Sequence, residues 1–406
     1  MGARRVAVTG VGAVSALGVG AAELWAGLSD GRSGIGPIES ADCSTLRFAN
    51  GAEVHGFDPA AHFERRAAEM MDRFSQFAVV AAREAVAMAG VEWTPGLREE
   101  TAVVVGSGVG GQISEERAFV DSYFTDRGRT HPLSIPRAMM NAATSQVTMD
   151  LGVHGPAFTV STACSSSNHA IGQAFWMVRS GTAEMAVAGG AEAPFALAHL
   201  KGWDALRAVS PDTCRPFTRG RQGMVLGEGA AMLVLEPLEA ARARGAPVLA
   251  ELVGFGMSAD ASHVTVPSAE GAARAVRAAL RDAELSPERV EYVNAHGTGT
   301  AVNDPMETAA LRAVFGAHAD RLAVSATKSM HGHALGASGA LEAVATVLAL
   351  RHGLLPPTAN FTEPDPECDL DVVPNRARAA QVEHAISNSF AFGGLNAVLA
   401  FRRGDA

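Results

Sequence analysis

Short runs of β-branched residues alternate with longer alanine-rich stretches along nearly the whole chain, and this alternation restricts the fold more than any other feature of the sequence. The best strand candidates are 5–9, 101–105, 157–161, 185–188, 290–294, 322–326 and 385–388, and the best helix candidates are 74–89, 168–179, 305–315 and 340–351. Strands that alternate with helices are typical of an α/β protein whose strands are mainly parallel. We therefore predict an α/β fold.

Two halves can be distinguished, 1–247 and 248–406. Each contains a strand that runs into a glycine-rich turn and then into an alanine-rich helix, at 157–179 in the first half and at 322–351 in the second. This similarity is compatible with an internal duplication, although a single sequence does not establish one.

The charge balance argues against nucleic acids and membrane surfaces as partners. The chain has 33 Lys and Arg against 43 Asp and Glu, a net charge of -10, so no surplus of cations is available for phosphates. No apolar run approaches the roughly 20 residues of a membrane-spanning helix. We expect a cytoplasmic protein, on which any acidic partner docks at a local basic patch.

The cysteines indicate neither a zinc site nor a disulfide framework. Cys43, Cys164, Cys214 and Cys368 lie far apart and form no CxxC pair. We therefore expect no bound metal, and each thiol is judged by its own surroundings.

Cys164 lies where a predicted strand becomes a helix. Segment 158–168 reads Phe-Thr-Val-Ser-Thr-Ala-Cys-Ser-Ser-Ser-Asn. A thiol at a helix N-terminus faces unpaired backbone N–H groups and the positive end of the helix dipole, and both favour the thiolate. An isolated cysteine is more often a small buried apolar residue, and we keep that explanation for the other three. Small neighbours leave the Cys164 sulfur open to a substrate, so we predict that it is a nucleophile.

A second predicted strand delivers His296 to a glycine turn. Segment 290–300 reads Val-Glu-Tyr-Val-Asn-Ala-His-Gly-Thr-Gly-Thr. A histidine in a turn can reach a ligand without competing for core packing, and an ordinary hydrogen-bonded turn histidine explains this segment equally well. Asp304 and Glu307 follow in the pattern of an N-cap and a capping-box glutamate around a first-turn proline. We interpret both acids as helix-capping residues.

A third predicted strand ends at Lys328, and segment 328–339 reads Lys-Ser-Met-His-Gly-His-Ala-Leu-Gly-Ala-Ser-Gly. The helix that follows is apolar on almost every side, which predicts complete burial. Glu342 stands out in it, because a buried carboxylate is costly unless it is paired and hydrogen-bonded. We predict that Lys328 pairs with Glu342 and that the pair supports a histidine between them. His331 and His333 both lie there.

The fourth predicted strand runs into segment 388–396, which reads Asn-Ser-Phe-Ala-Phe-Gly-Gly-Leu-Asn. Phe390 and Phe392 beside a diglycine are compatible with ordinary core packing. They are equally compatible with a mobile gate over an apolar tunnel.

Taken in this order, the four segments resemble the β-ketoacyl synthases, in particular the acyl-carrier-protein-dependent condensing enzymes of bacterial fatty acid and type II polyketide synthesis. The resemblance covers nearly the whole chain. It is carried by Thr-Ala-Cys164-Ser-Ser, Asn-Ala-His296-Gly-Thr-Gly-Thr, Lys328-Ser-Met-His-Gly-His333 with Glu342 nine residues on, and the segment around Phe390 and Phe392. The family implies the thiolase fold, in which two duplicated βαβ halves pack as α-β-α-β-α layers.

The resemblance also implies the chemistry. Cys164 would take an acyl chain from the phosphopantetheine of an acyl carrier protein, and His296 and His333 would assist decarboxylation of malonyl-carrier protein before a Claisen condensation. Backbone N–H groups of Cys164 and Phe392 would form the oxyanion hole, with Phe390 and Phe392 at the gate. The family has no histidine at the position of His331, so the catalytic role is assigned to His333. No metal or redox cofactor is required.

Further residues are assigned by similarity of position. Three arginines are candidates for docking the acidic carrier protein: Arg65, Arg66 and Arg207. Val109 resembles the position that bounds the acyl pocket near a subunit interface. Ala391 and Leu395 stand where many relatives have Gly and Thr, so the movement of the gate or the width of the channel can differ.

Several alternatives stay open. A chain-length-factor-like, non-catalytic subunit shares the fold but lacks the nucleophile, whereas Cys164 is present here. A coenzyme A-dependent thiolase-fold enzyme or a Cys-His-Asn ketosynthase is less compatible with two histidines and Lys328, and a cysteine hydrolase does not need the Lys328–Glu342 pair. The sequence separates neither fatty acid from polyketide synthesis nor a homodimer from a heterodimer with a chain-length-factor-like subunit.

Overall fold

A large mixed β-sheet forms the centre of the protein in the computed structural model, which describes residues 3–125 and 128–404. The strands are β1 (Val6–Ser15), β2 (Gly18–Val19), β3 (Gly36–Pro37), β4 (Asn50–Gly51), β5 (Thr101–Gly106), β6 (Ala157–Val160), β7 (Met185–Glu192), β8 (Gly229–Pro237), β9 (Ala250–Ala259), β10 (Tyr292–Asn294), β11 (Ala323–Ser325), β12 (Leu354–Leu355), β13 (Arg378–Ala379), β14 (His384–Phe390) and β15 (Leu395–Arg403). The α-helices are α1 (Ala21–Asp30), α2 (Arg65–Glu69), α3 (Arg73–Ala89), α4 (Pro95–Glu100), α5 (Gln112–Tyr123), α6 (Ser134–Ala138), α7 (Ala142–Leu151), α8 (Ser166–Ser180), α9 (Leu197–Leu206), α10 (Leu238–Ala243), α11 (Ala269–Asp282), α12 (Asn303–Phe315), α13 (Lys328–His331) and α14 (Ser338–His352).

The strand order repeats between the two halves of the sheet. From the outer edge to the centre, the first half runs β6-β5-β7-β8-β1 and the second runs β11-β10-β14-β15-β9. In each half the three outer strands are parallel, and the remaining two are antiparallel to their neighbours. Equal order and equal direction in both halves indicate the internal duplication that the sequence left open.

The two halves are joined over a short distance. β1 and β9 pair for only three residues, from Val6 with Leu252 to Val8 with Ala250. Helices α8 and α14 lie between the halves, because each of them contacts strands of both. Helices α3 and α7 cover the outer face of the first half. Helix α11 covers that of the second half, and α12 packs beside α11 in the apolar cluster that includes the strands there. The layers therefore follow the predicted order α-β-α-β-α.

Helix composition matches position in these layers. Every residue of α14 from Ser338 to Leu350 is buried, as the all-round apolar pattern predicted. Each fully buried Leu or Val of this helix contributes roughly 1.5–3 kcal/mol through the hydrophobic effect. In the outer helix α11, by contrast, Ala272 and Val276 face the sheet while Arg274 and Arg281 are exposed.

Within the described residues no helix is long and apolar enough to cross a membrane.

Candidate active site

A cavity of about 70 Å³ lies where four chain segments leave the carboxyl ends of parallel strands. Cys164 follows β6, His296 follows β10, His333 follows β11, and Phe390 and Phe392 stand at the end of β14. All five side chains line this cavity. The structure therefore brings together the four segments that the sequence analysis singled out.

Cys164 stands on a tight turn between β6 and α8. Ala163 before it has a left-handed backbone, with φ at 52°, a conformation that costs a non-glycine residue on the order of 1–3 kcal/mol. Hydrogen bonds hold the turn, since the Ser166 N–H donates to the carbonyl of Ala163 and the Ser165 hydroxyl donates to that of Thr162. The turn aims the thiol away from the strand and into the cavity.

The expectation of a thiolate in the unliganded protein is wrong. Burial raises the pKa of Cys164 to about 11. The ammonium group of Lys328 and the backbone N–H groups of Phe392 and Cys164 lower this pKa, but by less than burial, with a smaller contribution from the charge of Glu192, raises it. The same two N–H groups face the sulfur, and this is the place predicted for an oxyanion hole.

His296 is held by three contacts from two neighbouring residues. Its backbone N–H donates to Oε1 of Glu307 at 2.9 Å, and its carbonyl accepts from Nζ of Lys328 at 2.7 Å. The Lys328 ammonium also lies 3.3 Å from Nδ1 of the His296 ring. An ammonium has no lone pair, so Nδ1 is the acceptor.

The predicted pairing of Lys328 with Glu342 is present, and both side chains are fully buried. Burial raises the pKa of Glu342 to about 7, while Lys328 pulls it down. The pair supports His296, however, and not the histidine between its two members in sequence. This part of the prediction is wrong, because β11 lies beside β10 and so directs Lys328 toward the neighbouring strand end.

His333 has a separate set of supports. Its Nδ1 lies 2.7 Å from the hydroxyl of Ser338 and accepts from the backbone N–H of Leu335 at 3.1 Å. Its own N–H donates to the carbonyl of Val225 at 2.7 Å, and its carbonyl accepts from the N–H of Gly227 at 2.9 Å. A segment of the first half therefore fixes a histidine supplied by the second.

Both imidazoles are neutral near pH 7. Burial lowers the pKa of His296 and that of His333 well below 6.5, and the positive charge of Lys328 lowers both further. Because Nδ1 accepts a hydrogen bond in each ring, the ring proton lies on Nε2. The rings meet edge to face with centroids 5.5 Å apart. The cavity is thus lined by two uncharged N–H donors beside a thiol.

The interpretation of Asp304 and Glu307 as capping residues is wrong. Helix α12 has Val302 at its N-cap and no side-chain capping bond. Both carboxylates are buried and turn instead toward the glycine loop, where Glu307 accepts the N–H groups of His296 and Gly297. Asp304 accepts those of Phe217 and Gly299, and burial raises its pKa to about 6. The backbone N–H groups of the glycine turn after β10 need acceptors, and this need was the sequence signal that a carboxylate lies nearby.

His331 does not line the cavity. It is fully buried, its Nε2 lies 3.0 Å from the hydroxyl of Thr327, and burial lowers its pKa to about 3. His331 is therefore a neutral side chain packed in the interior, although it lies only two residues before His333.

The two gate candidates differ in exposure. Phe390 is buried, with its ring 6.1 Å from that of His296. Phe392 is 37% exposed and stacks on Trp203 at 6.0 Å, with 27° between the planes. The indole N–H of Trp203 donates to Nε2 of His199 at 2.8 Å. Trp203 also lines the cavity, and nothing in the sequence had marked it as a candidate.

Val109 and the three arginines lie outside the cavity lining. Val109 packs in an apolar cluster with Trp203. Arg65 and Arg66 are exposed on α2, where Arg65 pairs with Glu69, and Arg207 is exposed at the end of α9. Within 3–125 and 128–404, no group of three or more His, Cys, Asp or Glu side chains is arranged to hold a metal ion.

Comparison with known proteins decides the family. A profile described as "Beta-ketoacyl synthase, N-terminal domain" matches residues 3–241, and one described as "Beta-ketoacyl synthase, C-terminal domain" matches residues 249–362. The chain belongs to the β-ketoacyl synthase family. The predicted membership is confirmed.

This ketosynthase is 48% identical over 400 residues to "Nodulation protein E" of Rhizobium sp. (strain N33), covering 98% of this chain and 99% of that protein. It is 44% identical over 411 residues to "3-oxoacyl-[acyl-carrier-protein] synthase 2" of Synechocystis sp., covering 98% of each. The solved structure titled "The ishigamide ketosynthase/chain length factor" superposes with a TM-score of 0.92 at 39% identity, covering 99% of this chain and 100% of that one. The thiolase fold predicted from the sequence is confirmed.

Proposed function

We propose that this ketosynthase loads an acyl chain from an acyl carrier protein onto Cys164 and lengthens it by decarboxylative Claisen condensation with malonyl-carrier protein, in fatty acid or type II polyketide synthesis. One observation carries the proposal. Cys164 shares a cavity with His296 and His333, whose neutral rings hold their protons on Nε2. The likeness to a protein named 3-oxoacyl-[acyl-carrier-protein] synthase supports it.

In the first step the Cys164 sulfur attacks the carbonyl carbon of the acyl thioester. The N–H groups of Cys164 and Phe392 stabilise the resulting oxyanion. Collapse of this intermediate breaks the bond to the phosphopantetheine sulfur, which leaves with the proton lost by the Cys164 thiol. The thiol is protonated in the free protein, so ionisation and acyl transfer belong to one event.

In the second step malonyl-carrier protein loses its carboxylate as CO₂, and the electron pair moves into an enolate of the remaining thioester. Nε2–H of His296 and of His333 donate to the enolate oxygen. Neutral donors suit this task, because a charged imidazolium would release its proton to the enolate and stop the reaction. The enolate carbon then attacks the Cys164 thioester, and the sulfur leaves as a thiolate when the new carbon–carbon bond is complete. The thiolate takes up a proton from solvent, which restores the Cys164 thiol.

The carrier protein is proposed to dock through Arg65, Arg66 and Arg207. Arg207 lines a shallow pocket that also contains Trp203, and Trp203 in turn lines the active cavity. An acidic partner at Arg207 would therefore stand next to the entrance.

The acyl groups arrive as carrier thioesters, so the proposed reaction needs no resident cofactor. All four thiols are free, which fits a reducing, cytoplasmic location.

A second subunit of the same fold is proposed to cover the outer edge of the first half. β6 is the last strand there among the described residues, and its Phe158 is 39% exposed. Large apolar side chains of α5, α6 and the residue after α5 are also exposed: Phe119, Tyr123, Phe124 and Ile135. An open edge strand and exposed aromatic residues in the same half favour pairing with another chain. Light scattering of the chain expressed alone tests this, and a species of twice 41.9 kDa identifies a homodimer. A monomer that dimerises only with a chain-length-factor-like subunit identifies the heterodimer.

Intact-protein mass spectrometry with acyl-carrier protein tests the reaction. We expect an acyl adduct that maps to Cys164 and is absent in Cys164→Ala. Acyl-coenzyme A, supplied in parallel, distinguishes a coenzyme A-dependent thiolase-fold enzyme by faster loading. An adduct on another residue would overturn the proposal.

A further inference from the structure

Glu192 ends β7 in the interior of the ketosynthase, and none of the steps above uses it. Its side chain is 0% exposed. The four groups that donate hydrogen bonds to it are uncharged, and burial raises its pKa to about 7. A charged carboxylate in such a place is costly unless it is paired and hydrogen-bonded, and here only hydrogen bonds are available to offset the cost.

Those hydrogen bonds join two loops from different halves of the molecule. Oε2 accepts the N–H of Gly108 at 2.7 Å and that of Gly336 at 2.8 Å. Oε1 accepts the Ser107 hydroxyl at 2.8 Å and the Val109 N–H at 3.2 Å. The loop of Ser107 to Val109 follows β5 in the first half. Gly336 belongs to the second half, three residues after His333.

The two loops touch closely. A Cβ atom on Gly336 would lie 2.3 Å from the backbone nitrogen of Gly108 and 2.6 Å from Oε2 of Glu192. A Cβ atom on Gly108 would lie 3.7 Å from the carbonyl oxygen of Ala163, the residue before the nucleophile. The loop of Ser107 to Val109, which Glu192 holds against Gly336, therefore also lies next to the turn of Cys164.

We infer that Glu192 is a positioning residue for condensation, which holds the His333 loop against the loop after β5 and so sets the place of His333 relative to Cys164. The inference rests on the proposed function. It predicts a split between the two steps. Loading of Cys164 needs the sulfur and its oxyanion donors, whereas decarboxylation needs His333 in place.

Two variants disturb the contact from opposite sides. In Glu192→Gln the amide NH₂ faces at least one backbone N–H in either orientation, and two donors cannot bond to each other. The contact between the two loops is therefore weakened, while the volume of the side chain is retained. Gly336→Ala keeps the carboxylate but forces the His333 loop away from it. Glu236→Gln is the matched control, because Glu236 is another buried carboxylate and its partners, Thr9 and Arg244, lie outside the site.

The assays measure CO₂ release from malonyl-acyl carrier protein and the loading rate of Cys164 by mass spectrometry. A displacement of about 1 Å costs on the order of 10²-fold in rate. We expect Glu192→Gln and Gly336→Ala to slow CO₂ release about 10- to 100-fold, while loading stays within about threefold. Glu236→Gln leaves both rates unchanged.

Equal losses in both steps, in proportion to a fall in melting temperature, would show that Glu192 is structural only and overturn the inference. Unchanged CO₂ release in the two variants would also overturn it. If Glu192→Gln does not fold, Gly336→Ala still decides between these outcomes. Failure of the wild-type protein to load Cys164 at all would instead refute the proposed function.

Discussion

The backbone N–H of Leu335 donates a hydrogen bond to Nδ1 of His333 at 3.1 Å. A backbone amide nitrogen cannot accept, so this contact fixes the proton of the neutral ring on Nε2. At His296 the ammonium of Lys328 imposes the same tautomer. Two different donors thus prepare two rings for one task, which is to donate to a single developing oxyanion.

Ser338 is expected to help hold the His333 ring in place but not to decide its tautomer. Its hydroxyl lies 2.7 Å from the same Nδ1. Ser338→Ala removes one hydrogen bond of about 1 kcal/mol, while the Leu335 N–H preserves the tautomer. We expect a roughly fivefold slower CO₂ release from malonyl-carrier protein. Ser338→Thr retains the hydroxyl and serves as the control. A loss beyond about 10³-fold, typical of removing a reacting group, would contradict this auxiliary role.

Breaking the buried ion pair should destabilise the protein strongly. Lys328→Met leaves the carboxylate of Glu342 buried without its counter-ion, which costs about 3–5 kcal/mol in free energy of unfolding. Urea denaturation at pH 8 measures this loss. It should shrink near pH 5, because burial raises the pKa of Glu342 and the acid becomes protonated and neutral there.

The double variant Lys328→Met, Glu342→Leu is the control for that experiment, since it removes both charges. We expect it to recover much of the lost stability without recovering activity. A double variant as unstable as the single one would show that the uncompensated charge is not the cause.

Contacts within one segment of this site could be predicted from the sequence. Contacts between segments that follow neighbouring strands could not. The burial of α14 and the Lys328–Glu342 pair follow from the apolar pattern of one segment. That Lys328 serves His296 depends on β10 lying beside β11, which the spacing of residues does not reveal. Glu307 was missed for a related reason, because a capping pattern explained it without the glycine loop that it binds.

The thiol shows how tertiary burial overrides a local effect. The helix start at Cys164 predicts a lowered pKa, yet burial raises it to about 11. Iodoacetamide reacts with the thiolate, whose fraction rises about tenfold per pH unit below the pKa. We therefore expect the alkylation rate of the free enzyme, measured by mass spectrometry, to keep rising above pH 9.

Cys164→Ala gives the background from the remaining cysteines in that assay. All three of these are buried and have raised pKa values. A rate that levels off below about pH 8 would mean that the sulfur is ionised in the resting enzyme after all, because a normal thiol has a pKa near 8.5.

Trp203 is expected to keep the gate closed over the acyl-enzyme. Its stacking with Phe392 at 6.0 Å is an aromatic contact worth about 1 kcal/mol. Trp203→Ala removes it, so the population with Phe392 displaced rises roughly fivefold and water reaches the thioester more often. Incubation of acylated enzyme without malonyl-carrier protein, followed by mass spectrometry, should show a several-fold shorter half-life of the Cys164 adduct. Trp203→Phe retains a stacking ring and should behave like the wild type, whereas equal half-lives in the wild type and Trp203→Ala would show that Phe392 holds its position without the indole.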